Sequence, residues 1–249
     1  TTHYLLSYGT HEQKMRWLPS MATGELVAGI AMSEPGTGSD LQNVATSAVV
    51  DGDHYVVNGA KTFISNGQIA DLILLVVRTA KDAGAHGVSL LMVDTRDLAG
   101  FRRGRNLEKL GLKGQDTSEL FFGDVRVPVD NLIGGEPGLG FKQLMRQLPW
   151  ERLMIGIMAV GACDYALELT VNYVRERKAF DKRLMDFQNT RFKLAEAKTK
   201  LEVTRSFVND CIVKLEAGTL DAATASMAKW WGAEVQNDVM DECLQLHGG

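Results

Sequence analysis

Cysteine is scarce in this sequence, and long apolar runs are missing. The 3 Cys in 249 residues, Cys163, Cys211 and Cys243, form no CxxC pair and have no His cluster nearby. We therefore predict neither a disulfide framework nor a structural zinc site, and we expect a soluble protein of a reducing compartment. The longest apolar stretch, residues 153–163, is about half of the ~20 residues that span a bilayer. It predicts a buried helix and no membrane span.

Clustered positive charge is also scarce. The 27 Lys and Arg against 31 Asp and Glu leave a net charge of −4, and no basic block is longer than residues 102–105. Nucleic-acid binding needs concentrated positive charge, so we predict no nucleic-acid partner. The sequence has no HExxH helix, no Ser-His-Asp order and no paired-carboxylate spacing, which gives hydrolases and metal-dependent enzymes little support. No metal ligand is predicted.

The residue pattern divides the chain into three segments. Residues 1–25 indicate the end of a helical domain, because apolar residues recur at helical spacing before Gly24. Residues 26–133 contain short β-branched runs separated by turn residues, with a hairpin signal at 51–53, and predict an antiparallel β domain. Residues 134–249 predict a helical bundle whose first long helix begins near Pro149. The missing initial Met and the abrupt end predict a fragment of a longer protein.

One helical stripe is continuous for about six turns in the final third. Its spacing is typical of a bundle core rather than a ligand box. Gly218 is predicted to close this helix, and Asp221 to cap the next one. The stripe consists of Leu194, Ala197, Leu201, Thr204, Val208, Cys211 and Leu215.

Four segments are candidates for binding, and each also has an ordinary structural interpretation. Residues 30–40 run from an apolar strand into a Gly-rich polar loop whose backbone amides can bind phosphate or ring heteroatoms, although such strand ends are common. The loop lacks the dinucleotide-fold and P-loop patterns. Residues 62–67 place an aromatic among small polar groups, as an ordinary half-buried strand also does. Arg177 can simply complement a helix dipole, and His247 is predicted to be a capping or packing residue.

Considered together, these segments resemble the acyl-CoA dehydrogenase family, and within it the long-chain type. The resemblance implies an α+β fold that is acyl-CoA dehydrogenase-like, with an antiparallel β domain between helical domains and a C-terminal domain of the four-helix-bundle type. It also implies a preceding helical domain and a tail after Gly249. The matching motifs are T/S-E-P-x-x-G-S-D at residues 33–40, N-G-x-K-x-[WF]-I-[ST]-N-G at 58–67, K-x-G-x-x-x-x-D-T at 109–117, R-x-x-F with a downstream Gln at Arg177, Phe180 and Gln188, and Q-x-x-G-G at 245–249.

The resemblance implies FAD as the cofactor. Phe63 stands where many members of the family have Trp, so a stacking role is retained and an indole hydrogen bond is lost. Several of the implied residues reach the cofactor of a neighbouring subunit in the family, which predicts a homotetramer. The implied cofactor-binding residues are Ile30, Met32, Ser33, Gly38, Ser39, Phe63, Ile64 and Ser65, together with Arg177, Phe180, Gln188, Gln245 and Gly249. Ser39 is also expected at the entry of the substrate.

The implied activity is dehydrogenation of acyl-CoA thioesters to trans-2-enoyl-CoA in fatty-acid β-oxidation. Electrons would pass to an electron-transfer flavoprotein, in the mitochondrial matrix or the bacterial cytoplasm. Two alternatives are an acyl-CoA oxidase that uses O₂ and a catalytically inactive scaffold with the same fold. The small residues Gly156, Ala159 and Gly161 would leave room for a long acyl tail, but close helix packing requires the same residue types.

Glu151 is the predicted catalytic base. Removal of a proton α to a thioester needs a carboxylate held against the substrate in a water-poor pocket, and Glu151 follows a Pro and precedes an apolar run. Locally, an acidic residue that favours a helix N-terminus is the simpler interpretation. The resemblance favours the base, because the long-chain and isovaleryl types carry it in a Glu-Arg-Leu element, whereas most members take it from the tail. Arg152 is predicted to hold the substrate or the helix.

Overall fold

The computed structural model describes residues 1–249, which form two compact units, residues 1–146 and 147–249. The boundary between them falls inside one long helix. The domain boundaries predicted from the sequence, after residues 25 and 133, remain predictions. In the structure, residues 1–25 and 134–146 belong to the same compact unit as the sheet.

The first unit is a seven-stranded sheet with two short helices. Helix α2 begins with a capping box between Thr10 and Gln13 and ends at Gly24, whose φ of +79° is in the left-handed region. This confirms the helix predicted from the apolar spacing before Gly24. The elements are α1 (Thr2–Tyr8), α2 (His11–Thr23), β1 (Ala28–Ala31), β2 (Ser47–Asp51), β3 (His54–Ser65), β4 (Leu72–Arg78), β5 (Val88–Asp94), β6 (Phe101–Asn106) and β7 (Thr117–Pro128).

The sheet is mixed, so the prediction of an antiparallel domain is correct for only part of it. The strand order is β1-β4-β2-β3-β7-β6, with β5 paired to β4. The predicted hairpin is present, with Asp51 opposite His54, and the β3–β7, β4–β5 and β6–β7 pairs are also antiparallel. However, β1 pairs with β4 in parallel, and so does the first residue of β2, Ser47. The long segment between β1 and β4 permits this crossover, which a local residue pattern does not encode.

Strands β4 and β5 are buried on both faces, which is why they are continuous apolar runs. Ile73, Leu75 and Val77 point into one core cluster with residues of β3 and β7. Leu74 and its neighbours on the opposite face pack with Trp17 and other residues of α1 and α2. The two N-terminal helices therefore cover one face of the sheet.

The second unit contains three long helices, which confirms the predicted helical C-terminal region. All seven residues of the predicted stripe lie in the core or pack against it. Asp221 caps the last helix by accepting hydrogen bonds from the backbone N–H groups of Ala223 and Thr224, both at 2.8 Å. These predictions are confirmed. The elements are α3 (Gly140–Glu176), the hairpin strands β8 (Lys178–Ala179) and β9 (Lys182–Arg183), α4 (Gln188–Glu216) and α5 (Ala222–His247).

Helix α3 differs from its prediction in two respects. It begins at Gly140, and Pro149 lies inside it rather than near its start. The apolar stretch 153–163 is only partly buried: Leu153 and Cys163 are in the core, whereas Met158 is 65% exposed. By length and composition α3 is apolar enough to cross a membrane, a property that core helices share. Its buried face forms part of the core of the helical unit.

Two glycines bring α3 and α5 into close contact. A Cβ added to Gly232 would lie 3.1 Å from the Cα of Gly156 and 3.4 Å from the Cβ of Ala159. A Cβ added to Gly156 would lie 3.0 Å from the carbonyl oxygen of Ala228. Of the two predicted uses of these small residues, close helix packing is the one that Gly156 and Ala159 serve in this unit.

We expect Gly156→Val to lower the free energy of unfolding by about 1–3 kcal/mol, because the side chain would be forced against the backbone of α5. Denaturant unfolding of the full-length protein measures the change. Gly161→Ala is the matched control, since a Cβ there has no atom within 4 Å, and alanine should stabilise the helix by up to about 1 kcal/mol. An equal free energy of unfolding for wild type and Gly156→Val would contradict the close contact between Gly156 and α5.

Candidate functional site

Two of the predicted binding segments lie side by side in the first unit. The backbone N–H of Thr62 donates to the carbonyl oxygen of Ser33 at 3.0 Å. The Nδ2 of Asn66 donates to the carbonyl oxygen of Ala28 at 3.1 Å. The chain after β1 and the end of β3 are thus held together, which brings residues 30–33 next to residues 63–65.

Phe63 is displayed on the surface by a bulge. The register between β3 and β7 shifts between Lys61 and Ile64, and Phe63 takes a φ of +58°, which is unusual for a bulky residue. Its side chain is 69% exposed. The alternative of an ordinary half-buried strand residue is therefore wrong at this position. An exposed aromatic in a strained backbone is typical of functional sites.

The residues beside Phe63 differ in what they offer a ligand. Ile64 is buried in the core of the sheet, so only its backbone is available. Ser65 is exposed and Ser33 is half-buried, and neither hydroxyl has a hydrogen-bond partner within the chain. Gly38 and Ser39 lie in the exposed part of the following loop. The arrangement therefore presents a flat apolar ring with two uncommitted hydroxyls.

A buried ion pair joins the same two segments. The Nζ of Lys61 donates to the Oε1 of Glu34 at 2.8 Å and to the carbonyl oxygen of Met32 at 3.0 Å. Burial lowers the pKa of Lys61 to about 8, although Glu34 acts in the opposite direction. Burial also raises the pKa of Glu34, but the charge and hydrogen bonds of Lys61, with those of the loop, outweigh it, so that pKa is lowered.

In the second unit, three predicted residues lie in one short segment after α3. Arg177 follows the helix, and its carbonyl oxygen accepts from the backbone N–H of Leu184 at 2.8 Å. Phe180 is at the tip of the β8–β9 hairpin with a φ of +54° and is 90% exposed. Gln188 begins α4. Phe180, like Phe63, is an aromatic displayed by a left-handed backbone.

The C-terminal end of α5 carries the remaining two residues. Gln245 and Gly249 are exposed, and Gly248 closes the helix with a φ of +103°. His247 stacks on Tyr173 with 4.2 Å between ring centroids and an interplanar angle of 19°. The stack agrees with the predicted packing role of His247.

Glu151 lies in the interior of α3, so the interpretation as a helix N-terminal acid is wrong. The helix begins at Gly140, well before Glu151. Its side chain is half-buried and makes no hydrogen bond or ion pair. The neighbouring Arg152 donates from Nη1 to the Oγ of Ser226 on α5 at 3.1 Å, which supports its predicted role of holding the helix. No contact within the chain accounts for the presence of a half-buried carboxylate at this position.

Comparison with known proteins gives two family matches in the order of the chain. The model of the acyl-CoA dehydrogenase middle domain matches residues 29–125, and that of the acyl-CoA dehydrogenase C-terminal domain matches residues 138–249. The chain belongs to the acyl-CoA dehydrogenase family. The recognition made from motifs is thereby confirmed.

Named relatives support the same assignment. The long-chain specific acyl-CoA dehydrogenase of Mus musculus is 48% identical over 99% of this chain. A caffeyl-CoA reductase-Etf complex subunit of Acetobacterium woodii is 36% identical over 98% of it. The crystal structure of an acyl-CoA dehydrogenase from Geobacillus kaustophilus superposes with a TM-score of 0.96 at 51% identity over 100% of it. The chain covers 57%, 64% and 66% of these three proteins, respectively.

Members of the acyl-CoA dehydrogenase family are flavoproteins, and the residues around Phe63 offer the groups that a flavin requires. A tricyclic ring needs a flat apolar surface and hydrogen-bonding groups at its edge. Phe63 supplies the first, and the two serine hydroxyls with the adjacent backbone supply the second. Gly29 allows β1 to approach the end of β3 closely, since a Cβ there would lie 3.2 Å from the carbonyl oxygen of Ser65.

Sequence reasoning missed Glu34 and Lys61 as members of this site in the acyl-CoA dehydrogenase fold. Both stand within the recognised motifs, but a loop carboxylate and a strand lysine are usually solvated. One feature of the sequence could have indicated the buried pair: Lys61 is a charged residue at an inward-facing position of a strand.

Proposed function

We propose that the protein containing this chain is an FAD-dependent acyl-CoA dehydrogenase that converts acyl-CoA thioesters to trans-2-enoyl-CoA. The observation that carries the proposal is the juxtaposition of exposed Phe63 with the strand end at Met32 and Ser33. It lies in a chain of the acyl-CoA dehydrogenase family, and the identity to long-chain relatives favours long acyl chains and β-oxidation.

The residues that face the flavin bind it and orient its ring system. Phe63 stacks against the ring system, and Ser33 and Ser65 donate or accept hydrogen bonds at its edge. Ile30, Met32, Gly38 and Ile64 contribute backbone or apolar contacts. When bound, FAD supplies the acceptor for the hydrogen that leaves the β-carbon as hydride.

Glu151 removes the α proton in this proposal. Its uncommitted carboxylate is free to accept a proton because no cation or hydrogen-bond donor of the chain holds it. Arg152 keeps α3 against α5 through Ser226. In this proposal Ser39, which is exposed in the loop, contacts the entering substrate.

We also propose a homotetramer and an electron-transfer flavoprotein as the redox partner. Arg177, Phe180 and Gln188, with Gln245 and Gly249, would contact the cofactor of a neighbouring subunit, and the outward display of Phe180 supports such a contact. The relative from Acetobacterium woodii is named as part of an Etf complex. The mouse relative is named as mitochondrial, which supports the matrix or, in bacteria, the cytoplasm.

The test is a flavin spectrum of the purified full-length protein, before and after incubation with FAD, followed by anaerobic titration with saturated acyl-CoA thioesters from butanoyl to hexadecanoyl. We expect a flavin spectrum that long-chain substrates bleach. The absence of bound flavin after incubation would remove the proposal. Bound flavin without bleaching by any thioester would favour the scaffold, and a butanoyl optimum would contradict the long-chain assignment. A separate aerobic assay with an electron-accepting dye tests the oxidase alternative, which peroxide formation in place of dye reduction would favour.

A further inference from the structure

The buried ion pair between Glu34 and Lys61 has no part in the chemistry proposed above. Their side chains are 5% and 0% exposed, respectively, with 2.8 Å between Oε1 and Nζ. Burying two charges is costly, and apolar residues of similar size often stabilise a protein as well or better. Stability alone therefore does not account for this pair.

The pair closes the loop that carries the predicted flavin residues. The carboxylate of Glu34 accepts from the backbone N–H of Ala45 at 2.6 Å and of Thr46 at 2.9 Å. One side chain thus ties both ends of the loop 35–44 together. Lys61, on β3, binds this carboxylate and the carbonyl oxygen of Met32. The ion pair therefore joins three segments: residues 32–34, residues 45–46 and β3.

The position of Lys61 connects this junction to Phe63. The bulge that displays Phe63 begins at Lys61, and the backbone N–H of the intervening Thr62 donates to the carbonyl oxygen of Ser33. Any shift of the ammonium would therefore move Met32, Ser33 and the bulge relative to one another. Hydrogen-bonded charge pairs of this kind specify one arrangement where apolar contacts permit several.

We infer that Glu34 and Lys61 are positioning residues that hold Met32, Ser33 and Phe63 in the arrangement that binds the flavin. This inference rests on the proposed function. It predicts that the pair is needed for FAD affinity beyond its effect on folding, even though neither side chain touches the cofactor.

The test compares the FAD dissociation constant of the apo forms of the full-length wild type and of Glu34→Gln/Lys61→Met. Removing both charges should keep the protein folded, because the Gln oxygen still accepts from Thr46 and the exposed Ala45 can bond to water. We expect a similar melting temperature and an FAD dissociation constant raised about 10- to 100-fold, the loss of affinity that removing a supporting hydrogen bond behind the direct ligands produces at metal sites. The matched control is Asp51→Asn/Arg126→Met, which removes the exposed pair at 2.7 Å in the same sheet and should leave FAD affinity unchanged.

A folded double variant with wild-type FAD affinity would overturn the inference and leave the dehydrogenase proposal intact, whereas a wild type that binds no FAD would remove the dehydrogenase proposal itself. If the double variant does not fold, the wild type is measured at neutral pH and near pH 9. Burial lowers the pKa of Lys61 to about 8, and Glu34 is the charged group in contact with it. Above that pH the ammonium is lost, so FAD should bind more weakly.

The stability of the wild type changes in the opposite direction over this interval. The folded chain releases the Lys61 proton near pH 8, whereas the unfolded chain keeps it to its ordinary value of 10.5. The unfolded state then binds more protons, so this group raises the free energy of unfolding between these values. Weaker FAD binding without loss of stability is the expected result, and equal FAD affinity at both pH values would overturn the inference.

Discussion

Replacing Glu151 by Gln is expected to leave FAD bound while slowing the bleaching of the flavin by acyl-CoA about a hundred- to ten-thousand-fold. The amide has the shape of the carboxylate but cannot accept the α proton. Since Glu151 makes no hydrogen bond or ion pair in the chain, the substitution breaks no internal contact, and stability should not change. Anaerobic stopped-flow absorbance of the full-length protein measures the rate.

The matched control for this experiment is Glu168→Gln. Glu168 is an exposed glutamate on the same helix, so its replacement removes the same charge from α3 and should leave the bleaching rate near that of wild type. A Glu151→Gln protein that bleaches at the wild-type rate would show that the base lies elsewhere. The segment that the family resemblance implies beyond Gly249 would then be the next one to examine.

Replacing Lys61 alone by Met is expected to lower the free energy of unfolding by about 3–5 kcal/mol, because the Glu34 carboxylate would remain buried with neither a cation nor the hydrogen bond that even a neutral Lys61 amine donates. The second replacement, Glu34→Gln, should recover most of this loss. Guanidinium unfolding of wild type, single variant and double variant, each without FAD, gives the comparison.

The exposed pair provides the control for this second experiment. Arg126 contacts Asp51 at 2.7 Å, with both side chains more than half exposed, and Arg126→Met should cost no more than about 1 kcal/mol. Equal costs for Lys61→Met and Arg126→Met would contradict the burial of the Glu34–Lys61 pair. A double variant as unstable as Lys61→Met would show that the hydrogen bonds of Glu34, rather than the unpaired charge, determine the loss.

Elements that depend on interactions between residues close together in the sequence were predicted correctly. The apolar stripe of α4 repeats with the period of a helix, and the turn between β2 and β3 is encoded by neighbouring residues. Asp221 caps α5 through backbone groups two and three residues away. In each case the interacting groups are adjacent in the chain, so the residue pattern contains the interaction. The family motifs, which are also contiguous, located most of the candidate site residues.

Features that depend on distant residues were decided only by the tertiary structure. The start of α3 was predicted near Pro149, whereas the helix begins at Gly140. The contacts that stabilise the longer helix are not visible in the local residue pattern. The parallel pairing of β1 with β4 and the burial of Glu34 against Lys61 each join residues far apart in sequence.

The sequence by itself determined the family and the helical and strand-rich regions, because contiguous motifs and periodicity encode them, and through the family resemblance it named Glu151 as the candidate base. Tertiary structure decided which of these residues meet. It placed Phe63 on the surface through a bulge, and it buried Lys61 in an ion pair with Glu34 that joins three segments of the chain. The physical reason is that the cost of burying a charge or straining a backbone is offset by partners that only the folded chain brings near.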